Sequence, residues 1–275
     1  MNLIGVMQGR LLPSIEGRIQ AHPGEQWREE FPAAREYGLD LIEWIFEGRD
    51  WQKNAIMANP DEIIEYSQKY NIKVITLIAD FFMDRPLLRV SPAEVDKRMT
   101  VFEDLLMKAS RVGVKFLNVP FVDNSEITSD AERDQVANLM SRLLPQAEKL
   151  GMEIALETSL NPQKFRQLLD TINHPLIKVN YDIGNSAALG YDPAEEMDAY
   201  GTSIATVHIK DRVLGGSTVP LGQGDSDFAT VFSRLAGLNY QGPFTLQAAR
   251  NGDEKTATEN YIKFVNNYLN KYFIQ

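Results

Sequence analysis

The chain has no cysteine and only three histidines among its 275 residues. The first absence excludes disulfides, thiolate nucleophiles and thiolate metal ligands, so any bound cation has to rest on oxygen and nitrogen donors. Basic residues are in the minority: 28 Lys and Arg against 38 Asp and Glu leave a formal charge of −10. A field of that sign repels phosphate backbones and anionic membranes, which argues against nucleic acid or a membrane surface as partner. Long apolar runs are missing as well. No segment reaches the roughly 18 consecutive apolar residues of a membrane helix, and the apolar opening of MNLIGVMQGR ends early in a polar turn, unlike a secretory leader. A cytoplasmic protein is therefore expected. With 44% hydrophobic and 24% charged residues, the composition is that of a globular chain able to bury a large core rather than a disordered one.

What is present is a rhythm. Short apolar, β-branched runs recur at Leu3–Met7, Leu39–Ile45, Lys73–Ile78, Lys115–Val119, Glu153–Leu156, Ile177–Tyr181, Ile204–Ile209 and Pro243–Leu246, as expected of parallel strands buried on both faces. Helical spacing fills the intervals. Ser91-Pro92-Ala93-Glu94 reads as N-cap, first-turn proline and capping-box glutamate, and Gly38, Gly113 and Gly151 stand where a helix stops before the next strand. Eight strand signals alternating with eight helical ones, without a linker or composition break, predict a single α/β domain over residues 1–275, a closed (β/α)8 TIM barrel. The two longest polar connections, Gly9–Gly24 and Asp211–Asp227, both follow strands and are expected on the catalytic face, bordering the substrate.

In such a barrel the chemistry sits where strands finish. Reading off the polar residues there gives Gln8 and Arg10, Glu43 and Glu47, Asp80, Asn118 and Asp123, Glu157, Asp182, then His208 with Lys210 and Asp211, and finally Gln247 with Arg250. Glu157, Asp182, His208 and Gln247 come from four successive strands and offer the donors that a hard or borderline divalent ion prefers. Taken singly, each could be a polar strand cap, and His208 a hydrogen-bonded core imidazole. His22 is expected as a solvated loop residue, His174 as a turn residue on the opposite face, and Asp227 as the N-cap of the seventh helix. Trp44, Phe46, Phe81 and Phe82 read as packing before they read as walls for a sugar ring.

Three segments, Ala155-Leu156-Glu157-Thr158, Tyr181-Asp182-Ile183-Gly184-Asn185 and Val207-His208-Ile209-Lys210-Asp211, together with the turn Pro220–Phe228, resemble the xylose-isomerase-like superfamily. That group contains sugar and sugar-phosphate isomerases and epimerases and, more remotely, nucleases of the endonuclease IV type. The resemblance implies a metal-dependent isomerase or epimerase of a small carbohydrate. It implies one divalent ion, manganese, magnesium, zinc or cobalt, on Glu157, Asp182, His208 and Gln247, with Glu157 and Lys210 as catalytic groups and Arg10, Glu43, Asp80, Asn185, Asp211 and Arg250 around the substrate. A homo-oligomer is left open. The departure is Gln247, where the epimerase pattern has Glu: an amide oxygen can bind metal, but it cannot accept and return a proton. That leaves one-base isomerisation, or epimerisation with another acid among Lys210, Asp211, Glu43 and Asp80. The alternatives are a barrel that binds metal and sugar without turnover and, more distantly, a phosphodiesterase, which three histidines and net −10 argue against.

Overall fold

The computed structural model describes residues 2–273; Met1, Ile274 and Gln275, the ends of the predicted 1–275 unit, lie outside the described residues. Eight strands are β1 (Ile4–Met7), β2 (Leu41–Ile45), β3 (Thr76–Ile78), β4 (Phe116–Phe121), β5 (Glu153–Thr158), β6 (Ile177–Asp182), β7 (Ile204–Ile209) and β8 (Phe244–Leu246). Each is followed by a principal helix: α1 (Trp27–Glu36), α2 (Pro60–Tyr70), α3 (Pro92–Val112), α4 (Asp130–Leu150), α5 (Pro162–Ile172), α6 (Pro193–Tyr200), α7 (Phe228–Gly237) and α8 (Glu254–Tyr272). All strand pairs of the barrel are parallel, and the sheet closes in the order β1-β8-β7-β6-β5-β4-β3-β2; Asp211–Arg212 and Thr218–Val219 form a separate antiparallel pair in the loop after β7. The fold is the expected (β/α)8 barrel. Among the described residues no helix is long and apolar enough to cross a membrane.

The local signals act as read. Ser91 Oγ accepts the Glu94 N–H at 3.3 Å and opens α3, a cap worth about 1 kcal/mol. The same helix stops at Gly113 with φ 102°, and α4 stops at Gly151 with φ 64°, conformations in which a side chain would be strained. One boundary differs in a way that matters. The fourth and fifth apolar runs of the sequence end at Val119 and Leu156, yet β4 and β5 stay paired two residues further, with Pro120 opposite Glu157 and Phe121 opposite Thr158. The proline lies near the carboxyl tip of β4, where one lost ladder bond is tolerated. Glu157 is thereby held inside the sheet rather than in the loop after it.

Between strands and helices lies the apolar layer, with Phe31, Phe102, Leu143 and Phe232 among its fully buried members. Phe232 of α7 stacks on Phe244 of β8 at 5.1 Å and 15°. Trp44, Phe46, Phe81 and Phe82 are buried in this layer too, so packing is their role: Phe82 lies 4.5 Å from Phe102, and the Trp44 Nε1–H donates to Asn54 at 2.8 Å. The barrel lumen is different. Thr76, Asn118, Asn180, Thr206 and Thr245 are all buried at strand positions; the hydroxyls of Thr76 and Thr245 have no partner among the described residues, whereas Asn118, Asn180 and Thr206 find partners within the protein.

Candidate active site

Those partners form a network that rises to the mouth of the barrel. Asn118 on β4 donates to Glu43 Oε1 at 2.6 Å, and the second Glu43 oxygen lies 2.7 Å from His208 Nε2. Thr206 is 2.7 Å from Asn180 Oδ1 and 3.0 Å from Asn118 Oδ1, and its single proton serves one of them at a time. Asn180 in turn donates to Glu157 Oε2 at 2.7 Å and lies 3.2 Å from His208 Nδ1. A proton on His208 Nε2, held by Glu43, leaves Nδ1 directed at Glu157 Oε2 (3.7 Å) and Asp182 Oδ2 (3.8 Å). This is how a buried carboxylate fixes the tautomer and the ring of a ligating histidine.

Asp182 ends β6, and its Oδ1 caps the short helix Ile183–Leu189 by accepting the Asn185 N–H at 2.8 Å. Its other oxygen is 3.3 Å from Lys210 Nζ. A Cβ on Gly184 would meet Lys210 Cγ at 2.7 Å, so the glycine of the Asp-Ile-Gly-Asn turn is what lets the lysine lie over the helix start. Asn185 also donates to Glu157 Oε1 at 2.7 Å and is itself held by Arg212 at 2.9 Å. Both oxygens of Glu157 are therefore fixed by amides. Burial and the charge of Asp182 push the Glu157 carboxyl upward; at Asp182 burial acts the same way, but Lys210 and His208 outweigh it and hold this acid down. Burial would discharge His208, yet Glu43 and Asp182 more than compensate and raise it. Donor atoms of Glu157, Asp182 and His208 lie within 4.8 Å of one another, a set suited to a divalent cation.

Facing this trio is a cavity of about 340 Å³ whose lining includes Gln20, Asp80, Glu157, Asn185, Lys210 and Gln247. Gln247 is 5% exposed; its Nε2 donates to Gln20 Oε1 at 2.8 Å, while its Oε1 is buried without a partner. Gln20 passes the bond on to Asp80 Oδ2 at 2.5 Å, and Asp80 Oδ1 again is buried and unpartnered. Unfilled acceptors of this kind mark where a ligand completes the site.

A family model for the xylose isomerase-like TIM barrel matches residues 31–268. The chain belongs to that family. Among its relatives is L-ribulose-5-phosphate 3-epimerase UlaE of Escherichia coli, 25% identical over 251 residues that cover 86% of this chain and 87% of the relative. In fold it is similar to the IOLI protein solved with a bound zinc atom (TM-score 0.80, 19% identity, 99% and 100% of the two chains). It is also similar to D-allulose 3-epimerase from Methylomonas sp. in complex with D-allulose (TM-score 0.74, 18% identity, 98% of each).

Within this family's frame the expected residues separate. Glu157, Asp182, His208, Lys210, Asp80, Asn185 and Gln247 converge on the mouth. Four others do not face the cavity as expected. Glu43 lies below His208, fully buried, and orients it. Asp211 is fully buried because its two oxygens accept the N–H groups of Gly222 (2.8 Å), Gly224 (2.9 Å) and Ser226 (3.2 Å), which ties down the glycine-rich turn. Arg10 lies in the wall near Glu254 and Tyr261, where burial and the neighbouring Arg250 lower it to about 10, and it reaches the site only through Gln20, whose Oε1 lies 3.5 Å from Arg10 Nη2. Arg250 holds the carbonyls of Gly9, Leu12 and Ile19, acting as a strap for the first loop. His22 is half-buried rather than free in solvent: its ring centroid lies 5.6 Å from that of Trp44, and burial lowers it to about 4. His174 does sit in the turn before β6, and Asp227 caps α7 through the Thr230 N–H at 3.0 Å. Both long loops reach the cavity, through Arg18, Ile19 and Gln20 from one and Arg212 and Thr218 from the other. Sequence reading passed over Asn180, Gln20, Arg18 and Arg212. For Asn180 a signal existed, an amide interrupting the apolar run Ile177–Tyr181; the loop residues carried none.

Proposed function

We propose that the chain is an isomerase or epimerase of a small carbohydrate that moves a proton beside a carbonyl, with one divalent cation resting on Glu157, Asp182, His208 and the amide oxygen of Gln247. The observation that carries this reading is the trio of ionisable donors within 4.8 Å of one another, with the unpartnered Gln247 Oε1 on the same cavity. Family membership and the epimerases among the relatives support it. A bound cation would supply positive charge to the carbonyl and hydroxyl oxygens as an enediolate develops. Glu157 takes the proton: it is buried, raised towards the range useful to a base, and fixed by Asn180 and Asn185 so that its geometry survives the transfer. Lys210, beside Asp182, brings a second positive charge to the same mouth. Arg18 and Arg212 are the groups placed to bind the rest of the sugar.

A second reading, binding without turnover, is favoured by one observation: Gln247 cannot carry a proton. A repair-type nuclease would need several metal centres, and among the described residues one cluster of three donors is found. The test is elemental analysis of the protein and of His208→Ala, followed by incubation with ketoses and aldoses in D2O. About one divalent ion per chain, lost in His208→Ala, and deuterium entering a sugar carbon next to the carbonyl are the expected results. Unchanged metal in His208→Ala overturns the site. Metal and sugar binding without any deuterium uptake leaves the second reading.

A further inference from the structure

If a carboxyl is missing from β8, inversion at carbon requires another acid on the cavity, and the sequence leaves four candidates. Glu43 has both oxygens engaged beneath His208. Asp211 is closed by three backbone amides. Lys210 is paired with Asp182. Of the other carboxyls at the rim, Glu47 is committed to Arg18 at 2.9 Å and Asp84 to the Gly48 N–H at 2.9 Å, while Asp123 is exposed to solvent and lacks the burial that favours the acid form. Asp80 differs from all of them. It borders the cavity together with Glu157 and Gln247, is 7% exposed, and keeps one buried oxygen, Oδ1, without any partner. Its other oxygen is held by Gln20, which also holds the amide of Gln247.

We infer that Asp80 is the second proton carrier of this site, acting on the substrate together with Glu157 in place of a carboxylate on β8; the assignment rests on the isomerase or epimerase reading above. In the step, the Glu157 carboxylate takes the proton from the carbon beside the carbonyl, and the C–H electron pair moves into the enediolate. The Asp80 O–H then breaks as a new C–H bond forms on the opposite face, giving an isomer with no net oxidation. Glu157 is left protonated and Asp80 ionised, and solvent water in the open cavity resets both. The environment favours that starting state. Burial, with the charges of Glu157 and Glu43, lifts Asp80 to about 7 against the opposing Gln20 hydrogen bond and His208, so its acid form is populated near neutrality.

The test separates two rates in D2O, deuterium entering recovered substrate and formation of inverted product, on a panel that includes L-ribulose 5-phosphate and D-allulose. Asp80→Asn keeps an acceptor for Gln20 and should fold as the unaltered protein does in a thermal melt. It should lose inversion by about a hundredfold or more while exchange through Glu157 stays within about fivefold. Asp80→Glu should retain inversion, and Gln247→Glu added to Asp80→Asn should restore it by about tenfold or more, because a carboxyl then stands on β8. Inversion by Asp80→Asn within about threefold of the unaltered protein, or equal loss of exchange and inversion, overturns the assignment alone. Absence of exchange by the unaltered protein on the whole panel removes the reading of the site, and the assignment with it.

Discussion

The two sides of the barrel mouth are built on different terms. On the β5–β7 side, Glu157, Asp182 and His208 are fixed by Asn180, Asn185, Lys210 and Glu43 at distances between 2.7 and 3.3 Å. On the side made by β8, the end of β3 and the first loop, Gln247 and Asp80 each leave a buried oxygen unfilled, joined only through Gln20. A completed hydrogen-bond network sets geometry before any ligand arrives, whereas a buried unmatched acceptor costs about 1–3 kcal/mol until a ligand meets it. The first side is a template. The second is where a ligand still has hydrogen bonds to complete.

Breaking the template gives the largest expected effect. Glu157→Gln should leave a folded protein, since an amide can keep much of the bonding to Asn180 and Asn185, but deuterium exchange into any sugar substrate should fall by several orders of magnitude. Exchange that survives in this variant would mean another base. One layer down, Glu43→Gln keeps the volume but removes the charge that orients His208, and metal affinity measured by competitive chelation should weaken about 10- to 100-fold. Full affinity in that variant would show that the template does not depend on its lower layer.

Sharpening the open side has smaller consequences. Gln247→Glu should bind metal at least as well as the unaltered protein, because a carboxylate is the stronger donor, and should raise inversion relative to isomerisation on the same panel. Weaker metal binding would argue that the amide is not a ligand. A different kind of effect, on stability alone and not on the chemistry, lies at the rim, where Glu30 is fully buried and accepts the Gly9 N–H of the first loop. Burial lifts its carboxyl from 4.5 to about 8, against the bonds from Gly9 and Leu11 and the charge of Arg250. A raised carboxyl stabilises the folded state fully below the unfolded value near 4.5 and loses that contribution as pH climbs towards 8. Glu30→Gln should therefore gain on the unaltered protein across that window, by up to roughly 1.4 kcal/mol per pH unit, seen as converging or crossing melting temperatures. Parallel curves would contradict it.

The template side was largely legible in the sequence and the open side only in part, for a physical reason. Glu157, Asp182 and His208 sit on strands whose apolar runs fix both their place and their direction, so a list of strand ends finds them. Asp80 and Gln247 were found the same way. Their coupling through Gln20 was not, because Gln20 lies in a loop without periodicity, where position follows from tertiary contacts such as the Arg250 strap. Asp211 shows the opposite error. A charged residue after a strand reads as a ligand for substrate, yet backbone amides of a tight glycine-rich turn need an acceptor just as much as a substrate needs a donor. Arg10 and Arg250 misled similarly: both were expected at the substrate, and both serve the wall and loop beside the β1–β8 seam.

That seam has a consequence for how the protein reaches its working form. Gln20 meets Gln247 across 227 positions of sequence, and Arg250 grips Leu12 across 238. Contacts so distant along the chain close large loops and are slow to form. During synthesis, the first long loop leaves the ribosome early and can meet Glu30, Glu47 and Asp80 soon afterwards, but its contacts with Gln247 and Arg250 wait until β8 and the residues after it have followed. The β5–β7 trio can assemble from residues already made, while the open side waits for roughly the last tenth of the chain before it is complete. A molecule cut after β8 begins would thus keep the template residues and lose part of the docking of the loop that faces them, an uncoupling that limited proteolysis of the Gly9–Gly24 segment would reveal.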